Sequence, residues 1–173
     1  IKMILSIVIP VYNSEDILDE LINQITLEIR KKINLFEDYE IILVNDKSID
    51  NSWKKIKEIA TNRKNIIGIN LSKNFGQHNA LMAGIKNSRG DFLITMDDDL
   101  QHPPNYIIEI INKLNQGFDV CYTKYENNKY SYFKKLGSAI NDKVANIVLD
   151  KPKNIYLSSY RGIKRNVINE LKK

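Results

Sequence analysis

The stretch GDFLITMDDDLQHPP, residues 90–104, decides the fold because it joins an apolar strand directly to a row of acids. Phe92–Met96 is an apolar run of strand length, with Gly90 before it and three consecutive aspartates after it. A helix is predicted over Pro104–Asn115, and proline suits its first turn because the missing N–H is not needed there. The stretch therefore predicts a strand, a polar loop and a helix in succession.

The same alternation continues on both sides of this unit. Further apolar runs predict strands at Leu5–Val11, Tyr39–Asn45, Ile66–Leu71 and Asp119–Thr123. Amphipathic stretches predict helices at residues 15–32, Ser52–Asn62 and Gln77–Lys86. Strands that alternate with helices predict an α/β fold: a Rossmann-like, mostly parallel sheet with helices on both faces.

Length and composition limit the possible classes of protein. At 173 residues the chain has the size of one domain, and its 43% apolar and 27% charged residues are typical of a folded globular protein. The single cysteine, Cys121, excludes a disulfide framework and a cysteine-based zinc site. No apolar run reaches the roughly 18 residues that a transmembrane helix needs.

The net charge of +5 arises from 26 Lys and Arg residues against 21 Asp and Glu residues. Two explanations stay open: genomic base composition, or attraction to an anionic partner such as a nucleotide or an anionic membrane. A nucleic-acid partner is not expected, because the consecutive aspartates would repel nucleic-acid phosphates unless a metal ion lay between them.

Polar side chains follow the predicted strands at the edge where open parallel sheets bind ligands. Asp97, Asp98 and Asp99 repel one another unless a divalent cation neutralises them, and their hard oxygens suit Mg²⁺ or Mn²⁺. The other interpretation is that they cap the following helix, which suits one aspartate better than three. His102 is a further candidate metal ligand, with a surface histidine as the alternative.

Three more residues are candidates for binding a charged ligand. Asp46 is suited to accept hydrogen bonds from a base or a ribose, and Lys73 and Arg161 are suited to phosphate. Lys73 is alternatively a solvated loop lysine. The motifs GxxxxGK[ST], HExxH and GxSxG are absent, and no GxGxxG follows the first strand. A nucleotidyltransferase is disfavoured because residues 11–15, VYNSE, stand where it would carry a glycine-rich loop.

Five segments, in this order and spacing, resemble family 2 glycosyltransferases with the GT-A fold. They are IVIPVYNSE (7–15), ILVNDKSIDNSW (42–53), LSKNFGQHNALMAGI (71–85), GDFLITMDDDLQHPP (90–104) and YLSSYRGIKRNVINEL (156–171). The LSKNFGQ and DLQHPP segments are similar to those of the polyprenyl-phosphate glycosyltransferases within that family. Two positions depart from the family pattern, since Asn45 replaces an acid and Lys47 a glycine.

The resemblance implies which residues bind a nucleotide-diphosphate sugar donor. The residues that match the family's nucleoside cradle are Pro10, Tyr12, Glu15 and Asp46. Asp97 and Asp99 match the pair that binds the diphosphate and an Mg²⁺ or Mn²⁺ cofactor. Asp98 stands where relatives often carry alanine, so a lesser part in donor binding is expected of it.

The resemblance also implies which residues take part in catalysis. Asp99 is expected to act through the metal, and Gln101 matches a glutamine near the donor and acceptor phosphates. Arg161 matches an arginine that contacts the acceptor phosphate or the leaving diphosphate. Lys124 stands near the place where relatives carry basic contacts to the acceptor.

The implied reaction is inverting, metal-dependent transfer of a sugar from a nucleotide-diphosphate sugar to a polyprenyl phosphate of the undecaprenyl type. A phosphate monoester has a second pKa of roughly 6 and is already anionic near pH 7, so it needs no general base. The segment Leu157–Arg161, LSSYR, accordingly carries no carboxylate. The alternative is a family 2 glycosyltransferase that adds a sugar to a saccharide hydroxyl in cell-surface polysaccharide synthesis.

The resemblance further predicts how the chain is organised. Residues 1–124 are expected to form the nucleotide-sugar-binding half, and residues 125–173 the acceptor-side half of the same catalytic domain. We expect the chain to be truncated at its C-terminus, because relatives continue past Lys173 into transmembrane helices. The full-length protein would then be cytoplasmic and held at the cytoplasmic face of the membrane by that segment. An amphipathic helix predicted over Phe133–Leu149 either packs on the sheet or rests on an anionic bilayer.

Overall fold

The computed structural model describes residues 3–101, 103–123 and 158–171, whose strands form one six-stranded sheet. The strands are β1 (Met3–Val11), β2 (Phe36–Asn45), β3 (Ile66–Asn70), β4 (Phe92–Thr95), β5 (Val120–Tyr122) and β6 (Arg161–Lys164). The helices are α1 (Leu18–Arg30), α2 (Ser52–Asn62), α3 (Gln77–Asn87), α4 (Tyr106–Asn115) and α5 (Arg165–Leu171). A short 3-10 turn, Ile33–Leu35, lies between α1 and β2.

The strands are arranged in the order β3-β2-β1-β4-β6-β5. β1 pairs in parallel with β2 and β4, and β2 pairs in parallel with β3. β6 is inserted between β4 and β5 and runs antiparallel to both. The predicted α/β fold with a mostly parallel sheet is therefore confirmed, and it contains one antiparallel strand that the apolar pattern did not indicate.

Alternate residues of the central strand face two different halves of the core, because successive side chains of a strand point to opposite faces. Leu5, Ile7 and Ile9 of β1 pack in the half that contains α1, α2 and α4. Val8 packs in the half that contains α3 and α5. All four side chains are fully buried. Helices therefore cover both faces of the sheet, as the sequence predicted.

The helix boundaries follow local hydrogen bonding as well as apolar spacing. α2 spans Ser52–Asn62, as predicted. α1 begins at Leu18 rather than at residue 15, because a turn precedes it in which Ile17 N donates to Ser14 O at 3.2 Å. The β1–α1 connection is consequently longer than the sequence pattern indicated.

A glycine in β6 lets α4 lie directly on this strand. A Cβ atom at Gly162 would lie 2.2 Å from Ile110 Cγ2 of α4, which no side chain tolerates. The pairing of β6 with β4, and a hydrogen bond from Thr95 Oγ1 to the carbonyl oxygen of Ser159 at 2.6 Å, hold the segment before β6 against β4. Residues 158–160 are thereby placed beside the acids that follow β4.

Within the described residues, no helix has both the length and the apolar character needed to cross a membrane. The predicted helix at Phe133–Leu149 and the candidate acceptor contact Lys124 lie outside the described residues.

Candidate active site

A pocket of about 380 Å³ lies at the edge of the sheet where the parallel strands end. It is lined by Pro10, Val11, Tyr12, Asp46, Asn74, Gly76, Gln77, Asp97, Asp98 and Asp99. Most of these side chains are polar, and they come from the ends of β1, β2 and β4 and from the connection before α3. The predicted donor-binding residues that the fold brings together here are Pro10, Tyr12, Asp46, Asp97, Asp98 and Asp99.

Hydrogen bonds join the first two loops at this edge. Asn13 N donates to Ser48 Oγ at 3.0 Å, and Ile49 N donates to Asn13 Oδ1 at 2.9 Å. Lys47, which stands where the family pattern has a glycine, has a φ of 58°, in the left-handed region that favours glycine. The two joined loops form the wall of the pocket that carries Tyr12.

Glu15 belongs to this pair of loops, and it is absent from the described residues that line the pocket. Its carboxylate accepts a hydrogen bond from Asn51 N at 2.5 Å, at the start of α2, where the helix dipole favours an anion. The neighbouring Asp50 accepts from Glu15 N at 3.2 Å and from Ser52 N at 2.9 Å. Burial opposes ionisation of Asp50, but the hydrogen bonds from Ser52 and Glu15 outweigh it and lower the pKa below 3.8. Contact between Glu15 and a nucleoside stays a prediction.

Asp46 shapes the floor of the pocket from the end of β2. It is only 4% exposed. Its Oδ1 accepts from Phe75 N at 2.7 Å and its Oδ2 from Gly76 N at 2.8 Å, so the carboxylate holds the connection before α3 in place. A carboxylate has about four acceptor positions, and these two bonds leave others for a ligand in the pocket.

Asp97 is held on both of its carboxylate oxygens. Gln77 Nε2, at the start of α3, donates to Oδ1 at 2.6 Å. Ser159 Oγ, in the segment before β6, donates to Oδ2 at 2.6 Å. The orientation of this carboxylate is therefore set by two elements that approach it from different parts of the chain.

Asp98 points away from these partners toward the β1–α1 loop. Its Oδ2 accepts hydrogen bonds from Tyr12 N at 3.1 Å and from Ser14 Oγ. Burial raises the pKa of Asp98 above 3.8, and the hydrogen bonds from Ser14 and Tyr12 partly counter that effect. Asp98 thus supports the loop that carries Tyr12, and its part in donor binding stays a prediction.

Asp99 is exposed and lies where the chain turns. Its Oδ1 accepts from Gln101 N at 3.0 Å, and Leu100 between them has a φ of 57°. Gln101 is exposed and is not among the described residues that line the pocket. His102 lies outside the described residues, so its role as a metal ligand stays a prediction.

Arg161 opens β6 and pairs in register with Thr95 of β4, close to Asp97. Its Nε atom is buried and has no hydrogen-bond partner among the residues that the structure describes. An unpaired buried N–H is unfavourable, and an anionic oxygen would satisfy it. Lys73 is exposed, and its Nζ lies 5.0 Å from the centroid of the Phe75 ring rather than in the lining of the pocket.

The acids at this edge fit an Mg²⁺ or Mn²⁺ ion that keeps most of its coordination for water and phosphate. All three aspartates line the pocket, and Asp98 is already engaged by Tyr12 N and Ser14 Oγ of the β1–α1 loop. In the described part of the chain, no group of three or more His, Cys, Asp or Glu side chains is placed to enclose a metal. These ions usually take one or two protein carboxylates together with substrate phosphates. Asp97 and Asp99 agree in number and chemistry with that requirement.

Sequence reasoning did not select Gln77 and Ser159 as site residues. The position of Gln77 could have indicated a site residue, because it follows the end of β3 at the ligand-binding edge, as Asp46 follows β2. For Ser159, the sequence offered no indication of a role in the site other than its position two residues before Arg161. Its contact with Asp97 joins positions 62 residues apart, which no local pattern indicates.

A mostly parallel sheet with one inserted antiparallel strand, and a carboxylate-lined pocket at its edge, are features of the GT-A class of glycosyltransferase fold. Comparison with protein families agrees, since the family described as Glycosyl transferase family 2 matches residues 6–172. The chain belongs to this family of glycosyltransferases. The resemblance that the motifs indicated is thereby confirmed.

A curated relative is undecaprenyl-phosphate 4-deoxy-4-formamido-L-arabinose transferase from Proteus mirabilis, 37% identical over 171 residues. The match covers 96% of this chain and 50% of the relative, so the chain spans about half the length of that protein.

Solved structures share the fold at low sequence identity. Glucosyl-3-phosphoglycerate synthase from Mycobacterium tuberculosis, in complex with Mn²⁺, UDP-Glc and phosphoglyceric acid, has a TM-score of 0.70 at 15% identity, over 95% of this chain and 58% of that one. A mannosyltransferase from Pyrobaculum calidifontis, in complex with GDP-Man and Mn²⁺, has a TM-score of 0.67 at 14% identity, over 99% of this chain and 47% of that one. Both likenesses concern the fold.

Proposed function

We propose that the protein transfers a sugar from a nucleotide-diphosphate sugar to a polyprenyl phosphate of the undecaprenyl type, with inversion and with a divalent cation. The observation that carries the proposal is that Asp46, Asp97 and Asp99 line one pocket. Ser159 donates a hydrogen bond to Asp97 and so connects the segment that contains Arg161 to this pocket. The lipid-phosphate acceptor is supported by the 37% identical relative, which is named for transfer to undecaprenyl phosphate.

The donor would bind with its nucleoside between the β1–α1 loop and the connection before α3. Tyr12 is 48% exposed, which leaves its ring available to a nucleobase. Pro10 and Asp46 line the same part of the pocket. The diphosphate would then extend toward Asp97 and Asp99.

The acidic pair would hold the divalent cation. Asp97 and Asp99 are the residues we assign to it, and Mg²⁺ or Mn²⁺ at this place supplies neutralisation of charge on the departing nucleoside diphosphate. Arg161 would add a second positive charge, because its guanidinium matches the geometry of phosphate oxygens and its buried Nε is unsatisfied within the described residues.

The acceptor phosphate would attack the anomeric carbon directly. A phosphate monoester is anionic near pH 7, so no side chain has to remove a proton from it. Among the described residues between Ser158 and Arg161, no carboxylate is present that could act as a base for a hydroxyl acceptor. Direct attack on the side opposite the leaving group gives inversion.

A polyprenyl phosphate is held in a lipid layer, so the enzyme would work at the cytoplasmic face of a membrane. Within the catalytic domain, residues 1–124 would bind the donor and residues 125–173 would face the acceptor. The positive net charge of +5 supports contact with an anionic membrane surface.

The test is a transfer assay with the full-length protein and a panel of UDP-sugars and GDP-sugars. Undecaprenyl phosphate, undecaprenol and free saccharides are offered as acceptors, with Mn²⁺ or with a chelator. We expect transfer to undecaprenyl phosphate alone, only with the metal, and a product of inverted anomeric configuration by NMR. Transfer to a saccharide hydroxyl and not to the lipid phosphate would contradict the proposed acceptor.

A further inference from the structure

We propose that Gln77 and Ser159 are positioning residues, which orient the Asp97 carboxylate for the metal-bound donor and tie it to the segment that carries Arg161. This inference rests on the proposed function. It concerns residues that contact Asp97, and it does not require either of them to contact the donor.

The first support is the geometry around Asp97. Gln77 Nε2 and Ser159 Oγ each lie 2.6 Å from a different carboxylate oxygen. A carboxylate bonded on both oxygens cannot rotate freely about its last torsion. Each oxygen still has a lone pair, so the two hydrogen bonds orient the group and leave it able to meet a cation.

The second support is the way in which Ser159 is itself held. Thr95 Oγ1 donates to the carbonyl oxygen of Ser159 at 2.6 Å, and Thr95 is fully buried in β4. Thr95 is also the register partner of Arg161 across the β4–β6 pair. Residues 159 and 161 are therefore fastened to the same strand that leads into Asp97, which fixes the Arg161 segment relative to the Asp97 carboxylate.

The third support is that, among the residues that the structure describes, burial does not explain the position of the Gln77 side chain. Gln77 is exposed, and it lines the pocket at the first residue of α3. Buried residues of α3, among them Ala80 and Leu81, hold this helix on the sheet instead. Removing the Gln77 amide should consequently leave the fold intact and affect only the carboxylate to which it donates.

The experiment is calorimetric titration of the full chain with UDP and with GDP, each with and without Mn²⁺. The variants are Gln77→Ala, Ser159→Ala and Ser159→Thr, and His78→Ala is the control because it is the exposed neighbour of Gln77 on α3. The measured quantity is the ratio of the nucleotide affinity with Mn²⁺ to the affinity without it. A partial loss of folding would affect both affinities alike and leave this ratio unchanged.

We expect Gln77→Ala and Ser159→Ala each to lower that ratio by about 10–100-fold, as removal of a group that orients a metal ligand typically does. Ser159→Thr, which keeps the hydroxyl, should restore it, and His78→Ala should leave it unchanged. The double variant should lose less than the product of the single losses, because both act on one carboxylate.

An unchanged ratio in Gln77→Ala and Ser159→Ala, in a wild-type background that shows metal-dependent binding, would overturn this inference alone. Absence of metal-dependent binding of either nucleotide in the wild-type chain would instead overturn the proposed donor site, and this inference with it.

Discussion

At the scale of single residues, we expect Arg161 to act in the transfer step. Its buried Nε is unsatisfied within the described residues, and its strand is tied to Asp97 through residue 159. Arg161→Ala should lower kcat on the order of 100-fold, as loss of one group that stabilises developing charge does. Nucleotide affinity should fall much less, because the guanidinium acts on charge that develops during transfer. Steady-state kinetics and calorimetry on the same preparation separate the two effects.

Lys164 offers a matched control for Arg161. It lies at the other end of β6, where its Nζ is 3.9 Å from Asp119 Oδ1. Lys164→Ala removes a cation from the same strand and should leave kcat close to that of the wild type. Equal losses of kcat and nucleotide affinity in Arg161→Ala would contradict its assignment to the transfer step.

Lys47 adopts a left-handed backbone conformation that is unfavourable for a residue with a side chain. Its φ of 58° is unfavourable for a residue with a Cβ atom by roughly 1–2 kcal/mol, and glycine adopts it without that cost. A glycine at position 47 would remove this cost, but part of the resulting gain in stability is offset by the greater conformational freedom of glycine in the unfolded chain. Lys47→Gly should therefore raise the free energy of unfolding by about 0.5–1 kcal/mol in urea denaturation.

Lys64→Gly is the control for that measurement. Lys64 is also exposed and also lies in a connection, but it is not among the described non-glycine residues with positive φ. Glycine at this position should lower stability or leave it unchanged. A loss of stability in Lys47→Gly as large as that in Lys64→Gly would show that the left-handed conformation imposes no cost here.

At the scale of elements, Gly162 allows α4 to pack closely on β6, the strand that begins with Arg161. A Cβ atom at Gly162 would lie 2.2 Å from Ile110 Cγ2 and 3.1 Å from Leu114 Cδ1. Gly162→Ala should therefore lower the free energy of unfolding by about 1–3 kcal/mol, the usual effect of overpacking a core. Thermal and urea unfolding measure the loss.

The double variant Gly162→Ala with Ile110→Ala checks the cause. Because it removes the methyl group that the new Cβ atom would strike, its loss of stability should be smaller than the sum of the single losses. Additive losses would contradict a direct clash between the helix and the strand.

The elements show which parts of the structure a sequence pattern can predict. α2 was predicted at its observed bounds because its buried face repeats at helical spacing. β6 was missed, because RGIK contains one large apolar residue and its pairing depends on β4 and β5, which are remote in sequence. Short strands that complete a sheet have no periodic signal of their own.

The same distinction holds for the candidate site. The rule that ligands bind at the carboxyl ends of parallel strands placed Asp46, Asp97 and Asp99 in one pocket, and the structure agrees. The rule does not say where a side chain turns after the strand ends. Glu15 turned to the start of α2, and Ser159 reached Asp97 from a remote segment, because both contacts depend on tertiary packing.

At the scale of the whole molecule, the polar groups at the two ends of the parallel strands differ in what they contact. The edge with the pocket gathers polar groups that line the pocket. At the opposite edge, polar groups bond to one another: Ser6 Oγ donates to Glu40 Oε1 at 2.6 Å and accepts from Gly90 N at 2.8 Å. Glu40 is 1% exposed and also accepts from Arg89 Nε at 3.1 Å. This second edge secures the connection between α3 and β4.

Ser6→Ala tests that division. The variant leaves a buried carboxylate and a buried N–H each without one hydrogen bond, which costs about 1–3 kcal/mol of stability. Nucleotide affinity at a temperature where the variant stays folded should equal that of the wild type. A change in affinity comparable to that of a pocket variant would contradict the separation of the two edges.

The most direct test of the central claim is titration of the purified chain with UDP and GDP, each with and without Mn²⁺, alongside the variant Asp99→Ala. We propose that the pocket binds a nucleoside diphosphate through a divalent cation held by Asp97 and Asp99. The expected result is that one of the two nucleotides binds clearly more tightly with Mn²⁺, and that Asp99→Ala abolishes this gain. Equal affinity with and without the metal, or a gain that persists in Asp99→Ala, would contradict the claim.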